Sequence, residues 1–157
     1  MCKDAAMRIT LAHVSPRGGN RTKMQPIQAL VDEYATRCRG WDEVEDKGFA
    51  SEERLVDAAS AAGRTRAVVC LLDGRGKRMS SEEFAGQFRR WREAGRQQVF
   101  CCVGPADGWS DAARQRADLV LSLGPMTLAH GIARVVLAEQ VYRALSILAG
   151  HPYHGGH

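Results

Sequence analysis

The sequence predicts an α/β protein whose parallel β-sheet is covered by helices on both faces. One observation is that short apolar runs recur in the second half of the chain: RAVVCLL at 66–72, QVFCCV at 98–103 and DLVLSL at 118–123. Continuous apolar runs of this length are typical of strands buried on both faces. The other observation is that segments with helical apolar spacing separate these runs. Strands that alternate with helices indicate a parallel sheet.

The first half of the chain supplies two more extended segments and two helices. MRITLAHV at 7–14 predicts the first strand, and residues 1–6 before it are interpreted as a dispensable extension. Pro26 suits the first turn of a helix, and apolar residues follow it at helical spacing. A weak extended stretch is expected near 41–47. Ser51 is expected to cap a second helix.

In the second half, a helix is expected after each of the three buried runs. Ser80 and Glu83 have the spacing of a capping box, and an aromatic stripe that starts at Phe84 marks the buried face of that helix. A short helix is expected from Ser110. The last helix, about 131–149, is apolar nearly all round, which predicts burial on several sides and suits a dimer interface.

Composition and charge restrict the class of protein. A length of 157 residues favours one domain, and 45% hydrophobic with 25% charged residues is typical of a soluble globular protein. We find no apolar run long enough to span a bilayer and no secretory signal, so a cytoplasmic protein without a membrane partner is expected. The net charge of +4 and pI of about 9.0 are compatible with an RNA partner but do not demonstrate one.

The cysteines and histidines argue against a disulfide framework and a metal site. Five cysteines without a C-x-x-C pair do not form a zinc knuckle, and the adjacent Cys101 and Cys102 lie in an apolar run that predicts a buried, reduced strand. His151 and His154 have helical spacing, but the surrounding glycine and proline prevent a helical metal-binding face. No metal site is therefore predicted.

The predicted topology selects three loops as a ligand site. In open parallel sheets, ligands bind beyond the carboxyl ends of the strands, here after Leu72, Val103 and Leu123. Gly104 and Gly124 open two of these loops, and glycine lets a backbone approach a ligand closely. These loops favour a nucleotide-like ligand. The sequence has neither the G-x-G-x-x-G fingerprint after its first strand nor a P-loop, which excludes the usual dinucleotide and triphosphate sites.

The C-terminal part of the chain carries a long, ordered series of motifs. LDGRGKRMSSEEFA, VGPADGWS, LSLGPMTLAHGIARVVLAEQVYRALSI and the closing HPYH together resemble the ribosomal large-subunit pseudouridine methyltransferase family, which belongs to the SPOUT class of trefoil-knotted enzymes. The resemblance covers about 7–154 and is most specific in the T-L-x-H and H-P-Y-H segments. It implies a single domain with a knot and cofactor loops within about 70–150.

The resemblance also implies an activity, a cofactor and partners. The implied reaction is methyl transfer from S-adenosylmethionine to N3 of a pseudouridine in 23S rRNA, on the assembled 70S ribosome. A homodimer is implied, in which one protomer's tail approaches the other's cofactor, and we expect Val136 and Leu145 in its interface. The implied cofactor contacts are Leu72, Gly104, Leu123, Gly124, Pro125, Met126, Thr127 and Leu128.

Two loops depart from the family pattern. The loop after the second buried run commonly reads G-G-x-[ED]-G in the family, whereas here Pro105 replaces the second glycine. Proline fixes φ and has no N–H, so any cofactor contact through that N–H would be lost. The loop LGPMTL also carries a glycine and a proline where smaller polar and apolar residues are common.

The chemistry of the implied reaction selects catalytic candidates. N3 of a uracil ring must lose a proton, and negative charge then spreads onto the flanking carbonyls, so a base and a cationic donor are needed. The candidates are Glu139, Arg143, His130, Tyr153 and His154. Arg143 would face the developing anion, either Glu139 or His154 would take the proton, and Tyr153 would stack on a splayed base. Glu139 and Arg143 are four residues apart on a helix and could instead simply pair.

Two other functions remain open from the sequence. One is a non-catalytic protein of the same fold that binds RNA or the ribosome. The intact glycines of the cofactor loops and the complete HPYH tail argue against it. The other is a knotted methyltransferase that acts on another RNA, such as tRNA. An additional RNA-binding domain would be expected in that case, and a chain of this length has no room for one.

Overall fold

The computed structural model describes residues 6–15, 21–63 and 65–156. These residues form one five-stranded parallel sheet with the strand order β2-β1-β4-β3-β5. The strands are β1 Arg8–Val14, β2 Glu43–Phe49, β3 Val68–Arg78, β4 Gln98–Val103 and β5 Leu119–Ser122. The parallel sheet is therefore confirmed. Most of the predicted N-terminal extension, 1–6, lies outside the described residues.

In the described residues, four α-helices connect the strands and a fifth follows β5: α1 Arg21–Arg37, α2 Glu52–Ser60, α3 Ser81–Glu93, α4 Asp111–Arg116 and α5 His130–Leu148. Three predicted starts are confirmed, because the side chains of Ser51, Ser80 and Ser110 each accept a backbone N–H from the first turn. The predicted start of α1 is wrong. Pro26 lies inside this helix, which begins at Arg21.

The core lies on both faces of the sheet, as predicted. On one face, α1, α3 and α5 pack over β-strand residues such as Ile9 and Cys101. On the other face, α2 and α4 pack over residues such as Leu71 and Cys102. Cys101 and Cys102 are fully buried free thiols, and burial raises the pKa of Cys102 well above its ordinary value. No helix in the described part of the chain is long and apolar enough to cross a bilayer.

Helix α5 lies against both α1 and α3, so much of its surface is buried within the protomer. Leu145 is only 1% exposed and belongs to the protomer's own core, so its predicted place in a dimer interface is wrong. Val136 is half-buried, and Ile132 is 48% exposed. The face of α5 that is free to meet another molecule is therefore at its N-terminal half.

Strand β3 is longer than predicted because it pairs with β5 twice. Leu72 and Lys77 both pair with Leu121, so residues 73–76 form an irregular excursion between the two pairings. A Cβ atom on Gly76 would lie 2.5 Å from the carbonyl oxygen of Val120. Glycine at this position therefore allows the excursion to pass directly over β5.

We predict that Gly76→Ala lowers the free energy of unfolding by about 1–3 kcal/mol, because the added methyl group forces backbone to shift. Gly74→Ala is the matched control in the same excursion, where a Cβ atom meets nothing within 4 Å. Urea denaturation of both variants measures the difference. Equal stability of the two variants would contradict the tight crossing at Gly76.

Candidate active site

A cavity of about 610 Å³ opens at the carboxyl ends of β3, β4 and β5. Its walls come from the three loops that follow Leu72, Val103 and Ser122. All of the sequence-predicted cofactor contacts line it: Leu72, Gly104, Leu123, Gly124, Pro125, Met126, Thr127 and Leu128. Its volume lies within the range of about 300–1,000 Å³ that is usual for small-molecule sites.

Trp109 sets the shape of the loop after β4. Its ring is buried, and its Nε1–H donates to the carbonyl oxygen of Leu72 at 2.9 Å, which ties this loop to the end of β3. A Cβ atom on Gly104 would lie 2.7 Å from the Trp109 ring. Gly104 therefore lies at the cavity wall and is also required for packing against Trp109. A bulky replacement would displace the Trp109 ring. Nothing in the sequence motif indicated this second constraint.

Pro105 begins a tight turn in the same loop. Its carbonyl oxygen accepts the N–H of Gly108 at 2.9 Å. The turn places Ala106 and Asp107 in the cavity wall. The proline that departs from the family pattern is thus accommodated by the local backbone.

The cavity lining includes both exposed apolar side chains and an ion pair. Leu123, Met126 and Leu128 are exposed, with Met126 82% exposed. Asp73 is held by Arg75, whose Nε and Nη2 atoms each donate to one carboxylate oxygen at 3.0 Å. These hydrogen bonds lower the pKa of Asp73, so its carboxylate is ionised.

His130 lies in the cavity wall at the start of α5. Its ring meets the ring of His13 edge to face, with centroids 6.2 Å apart. Its Nε2 atom is buried and has no hydrogen-bond partner among the described residues. Burial lowers the pKa of His130, and the nearby charges of His13 and Arg134 lower it further. His130 therefore presents a neutral imidazole.

The other four catalytic candidates form one hydrogen-bonded cluster near the end of α5. The Nε and Nη2 atoms of Arg143 donate to Oε1 of Glu139, at 2.9 Å and 2.7 Å respectively. The hydroxyl of Tyr153 donates to the same oxygen at 3.1 Å, and the Tyr153 ring lies 4.8 Å from the Arg143 guanidinium carbon. Nη1 of Arg143 lies 2.9 Å from Nδ1 of His154.

The predicted catalytic residues therefore lie in two separate parts of the structure. A helix rises about 1.5 Å per residue, so Glu139 lies about 14 Å along α5 from His130, and Arg143 lies about 20 Å from it. His130 belongs to the cavity, whereas Glu139, Arg143, Tyr153 and His154 form the separate tail cluster.

Several residues of the cavity and of the tail cluster were not identified from the sequence. Glu82 contacts His154, and Gln140 donates to Glu139 at 2.8 Å. The sequence interpretation used the SSEE segment only for its capping box, which gave no sign that Glu82 faces the tail. Asp73 and Trp109 follow the predicted strand ends, so the rule about carboxyl ends of strands could have identified them.

Two solved structures share this fold. A probable methyltransferase from Bordetella pertussis has a TM-score of 0.58 and 16% identity, over 88% of this chain and 95% of that chain. The SpoU methyltransferase AviRb from Streptomyces viridochromogenes, solved in complex with AdoMet, has a TM-score of 0.54 and 13% identity, over 96% of this chain and 61% of that chain. The sheet order and these likenesses identify the fold as the α/β knot, which confirms the predicted fold class.

The sequence comparisons are more specific. Residues 7–154 match the family described as "Predicted SPOUT methyltransferase". A "Ribosomal RNA large subunit methyltransferase H" from Koribacter versatilis is 45% identical over 137 residues, 87% of this chain and 94% of that protein. A protein of the same name from Cereibacter sphaeroides is 50% identical over 145 residues, 85% of this chain and 93% of that protein. The chain belongs to the SPOUT methyltransferase family, among the ribosomal RNA large subunit methyltransferases H.

We predict that His130 makes stability depend on pH on the acid side. Its pKa is lowered from 6.5 in the folded chain, so below about pH 6.5 the unfolded chain binds more protons and stability falls as the pH falls. His130→Gln should flatten this part of the profile. Urea denaturation of both proteins across this pH range measures the effect, and parallel profiles would contradict the neutral, buried imidazole.

Proposed function

We propose that this enzyme transfers a methyl group from S-adenosylmethionine to N3 of a pseudouridine in 23S rRNA of the assembled 70S ribosome. The observation that carries the proposal is the coincidence of two sets of residues. Every residue expected to hold the cofactor lines one cavity, and four of the residues expected to handle the base form one hydrogen-bonded cluster. The names of the relatives from Koribacter and Cereibacter support the rRNA substrate.

The cavity suits S-adenosylmethionine in size and chemistry. The apolar lining residues Leu123, Met126 and Leu128 suit the adenine ring and the methionine chain. The complex of AviRb with AdoMet supports the same cofactor on this fold. When bound, the cofactor supplies an activated methyl group whose bonding electrons stay with the departing sulfur.

The tail cluster suits a pyrimidine that loses its N3 proton. Arg143 is held by Glu139 and carries donors for the carbonyl oxygens on which negative charge develops. Tyr153 adds a half-buried aromatic ring to the cluster, the kind of side chain on which splayed RNA bases stack. In this proposal Glu139 positions Arg143, so the simple ion pair expected from the sequence is part of the site rather than an alternative to it.

The separation along α5 supports a homodimer. Within one chain, the tail cluster lies about 14–20 Å along α5 from the cavity end of the helix, too far for direct methyl transfer. A second copy would bring its tail cluster to the first copy's cavity. Four large apolar side chains are exposed on α1, on the loop before α5 and on the first turn of α5, and we place the interface there: Leu30, Met126, Leu128 and Ile132.

We also propose that the chain works as a single domain, with its knot within about 70–150. The single sheet and the family match over 7–154 support this organisation. We place the activity in the cytoplasm, because its substrate is the ribosome.

We predict that deleting residues 151–157 leaves S-adenosylmethionine binding nearly unchanged and abolishes methyl transfer. The cavity-lining residues are 72–133, whereas Tyr153 and His154 belong to the tail. Calorimetry measures binding, and methyl incorporation into ribosomes with or without the pseudouridine measures activity. Deletion of 155–157 alone is the control that should keep activity. Absence of cofactor binding to the full chain would refute the proposed function, whereas full activity of the 151–157 deletion would refute the role of the tail.

We predict that Ile132→Arg converts the dimer to a monomer, because it places an unpaired charge in an apolar contact. Ala61→Arg, at an exposed position after α2 on the opposite face of the sheet, is the control. Sedimentation of the variants at micromolar concentration distinguishes the two states. The Ile132→Arg monomer should not methylate ribosomes. A wild-type protein that sediments as a monomer would contradict the composite site.

A further inference from the structure

We propose that Glu82 and His154 form a carboxylate–imidazole pair in which Nδ1 of His154 takes the N3 proton and Glu82 positions the ring. This inference rests on the proposed function, because it assigns the base of that reaction. Glu82 lies in the first turn of α3, far from the tail in sequence, and is a positioning residue because it acts through His154.

The neighbours of His154 select one protonation state of its ring. Nε2 lies 2.5 Å from Oε1 of Glu82, and a carboxylate only accepts hydrogen bonds, so Nε2 carries the hydrogen. Nδ1 lies 2.9 Å from Nη1 of Arg143, and a guanidinium only donates, so Nδ1 presents its lone pair. The ring is therefore a neutral Nε2–H tautomer whose basic nitrogen faces the centre of the tail cluster.

Glu139 is a poor candidate for the base because its oxygens are already occupied. Oε1 accepts two N–H groups of Arg143 and the hydroxyl of Tyr153. Oε2 accepts Nε2 of Gln140, whose own oxygen accepts the hydroxyl of Ser81. With four donors on it, the Glu139 carboxylate holds those donors in place rather than facing a substrate proton.

Arg143 and His154 together match the edge of a uracil ring. Nη1 of Arg143 is a donor and Nδ1 of His154 is an acceptor, side by side. The imide edge presents an acceptor carbonyl next to the N3–H donor. Insertion of that edge would exchange the Arg143–His154 contact for one contact from N3–H to Nδ1 and another from Nη1 to the carbonyl oxygen.

The proton transfer balances in charge and electrons. The N3–H bond breaks, the proton bonds to Nδ1 of His154, and the electron pair remains on N3, where it can receive the methyl group. The charged groups that face His154 are Glu82 from α3 and Arg143 from α5, with Glu139 behind Arg143. Two carboxylates and one guanidinium leave one net negative charge, so proton uptake neutralises the cluster.

Glu82 has the charge and position that this role requires. Its hydrogen bond with His154 lowers the pKa of Glu82, so it is ionised at neutral pH. Its side chain is 62% exposed, so solvent weakens the interaction and the effect of removing the charge should be moderate. The equivalent arrangement of carboxylate, imidazole and reacting proton is the usual way in which proteins orient a histidine base.

The first test is the pH dependence of methyl transfer to ribosomes by Glu82→Gln, with Glu83→Gln as the matched control. Glu83 lies in the same helical turn but contacts Ser80 rather than His154. Loss of the carboxylate charge disfavours the imidazolium, so the half-maximal rate of Glu82→Gln should move to lower pH and kcat should fall about 10-fold. His154→Gln should lose at least about 100-fold in kcat. Glu83→Gln should keep the wild-type profile.

The second test needs neither cofactor nor RNA. Nitrogen-15 NMR of the histidine rings reports their tautomers, and the His154→Gln spectrum identifies the His154 signals. Wild type and Glu82→Gln should both show the Nε2–H form, since a glutamine oxygen still accepts. Glu82→Ala, in which Arg143 alone favours that form, should show a smaller share of it.

The two tests separate this inference from the proposed function. A wild-type protein that methylates ribosomes, with a Glu82→Gln profile that superimposes on its own, would overturn the role of Glu82. An Nδ1–H tautomer in the wild type would overturn the assignment of Nδ1 as the base. A wild-type protein that binds no S-adenosylmethionine and methylates no ribosomes would overturn the proposed function, and the tautomer measurement would still decide whether Glu82 fixes the ring.

Discussion

The fixed rise of an α-helix is the constraint on which the organisation of this protein depends. α5 begins at His130 in the cavity wall and carries Glu139 and Arg143 on its later turns, so one helix holds the cavity wall and the tail cluster at a set separation. Its packing against α1 and α3 opposes any bending that would bring them together. In the proposed reaction, a methyl donor in the cavity and a base at the tail would meet only when two chains are combined. The proposed homodimer would in this sense be a consequence of helix geometry.

A buried polar network fixes the position of the N-terminal end of α5. Arg134 donates to Asp46 of β2 at 3.0 Å and to Gln28 of α1 at 2.8 Å, and both charged side chains are almost completely buried. Burial acts to raise the pKa of Asp46, but the neighbouring His13 imidazole, a hydrogen bond from Gln28 and the charge of Arg134 lower it overall. Removing one member would leave a buried charge without its partner, which typically costs about 3–5 kcal/mol. This network therefore couples the edge strand, α1 and the cavity wall at His130 into one rigid unit.

The sequence predicted the sheet, the helices and the loops of the site more reliably than it predicted the contacts between distant segments. The strands were identifiable because buried parallel strands are continuously apolar, and the caps at Ser51, Ser80 and Ser110 are local signals. Pro26 was misplaced because α1 begins earlier than its apolar periodicity, and Leu145 was misassigned because apolar spacing does not distinguish a protomer core from an interface. The dependence of Gly104 on Trp109 and the contact of Glu82 with the tail arise only when separate segments meet in three dimensions. The roles in cofactor binding and catalysis stay predictions.

The strand order has a consequence for how the chain folds during synthesis. The interior strand β1 is made before the other strands, yet one of its two neighbours is β4, which follows some 90 residues later, and α5 is the last helix to cover one face of the sheet. Long-range pairings of this kind slow folding, because loop closure must precede the contacts that reward it. The part of this apolar face that α5 covers therefore stays exposed until residues 130–148 emerge from the ribosome. A protein that modifies ribosomes thus completes its own core only after α5 is made, and until then the exposed face favours aggregation of the nascent chain.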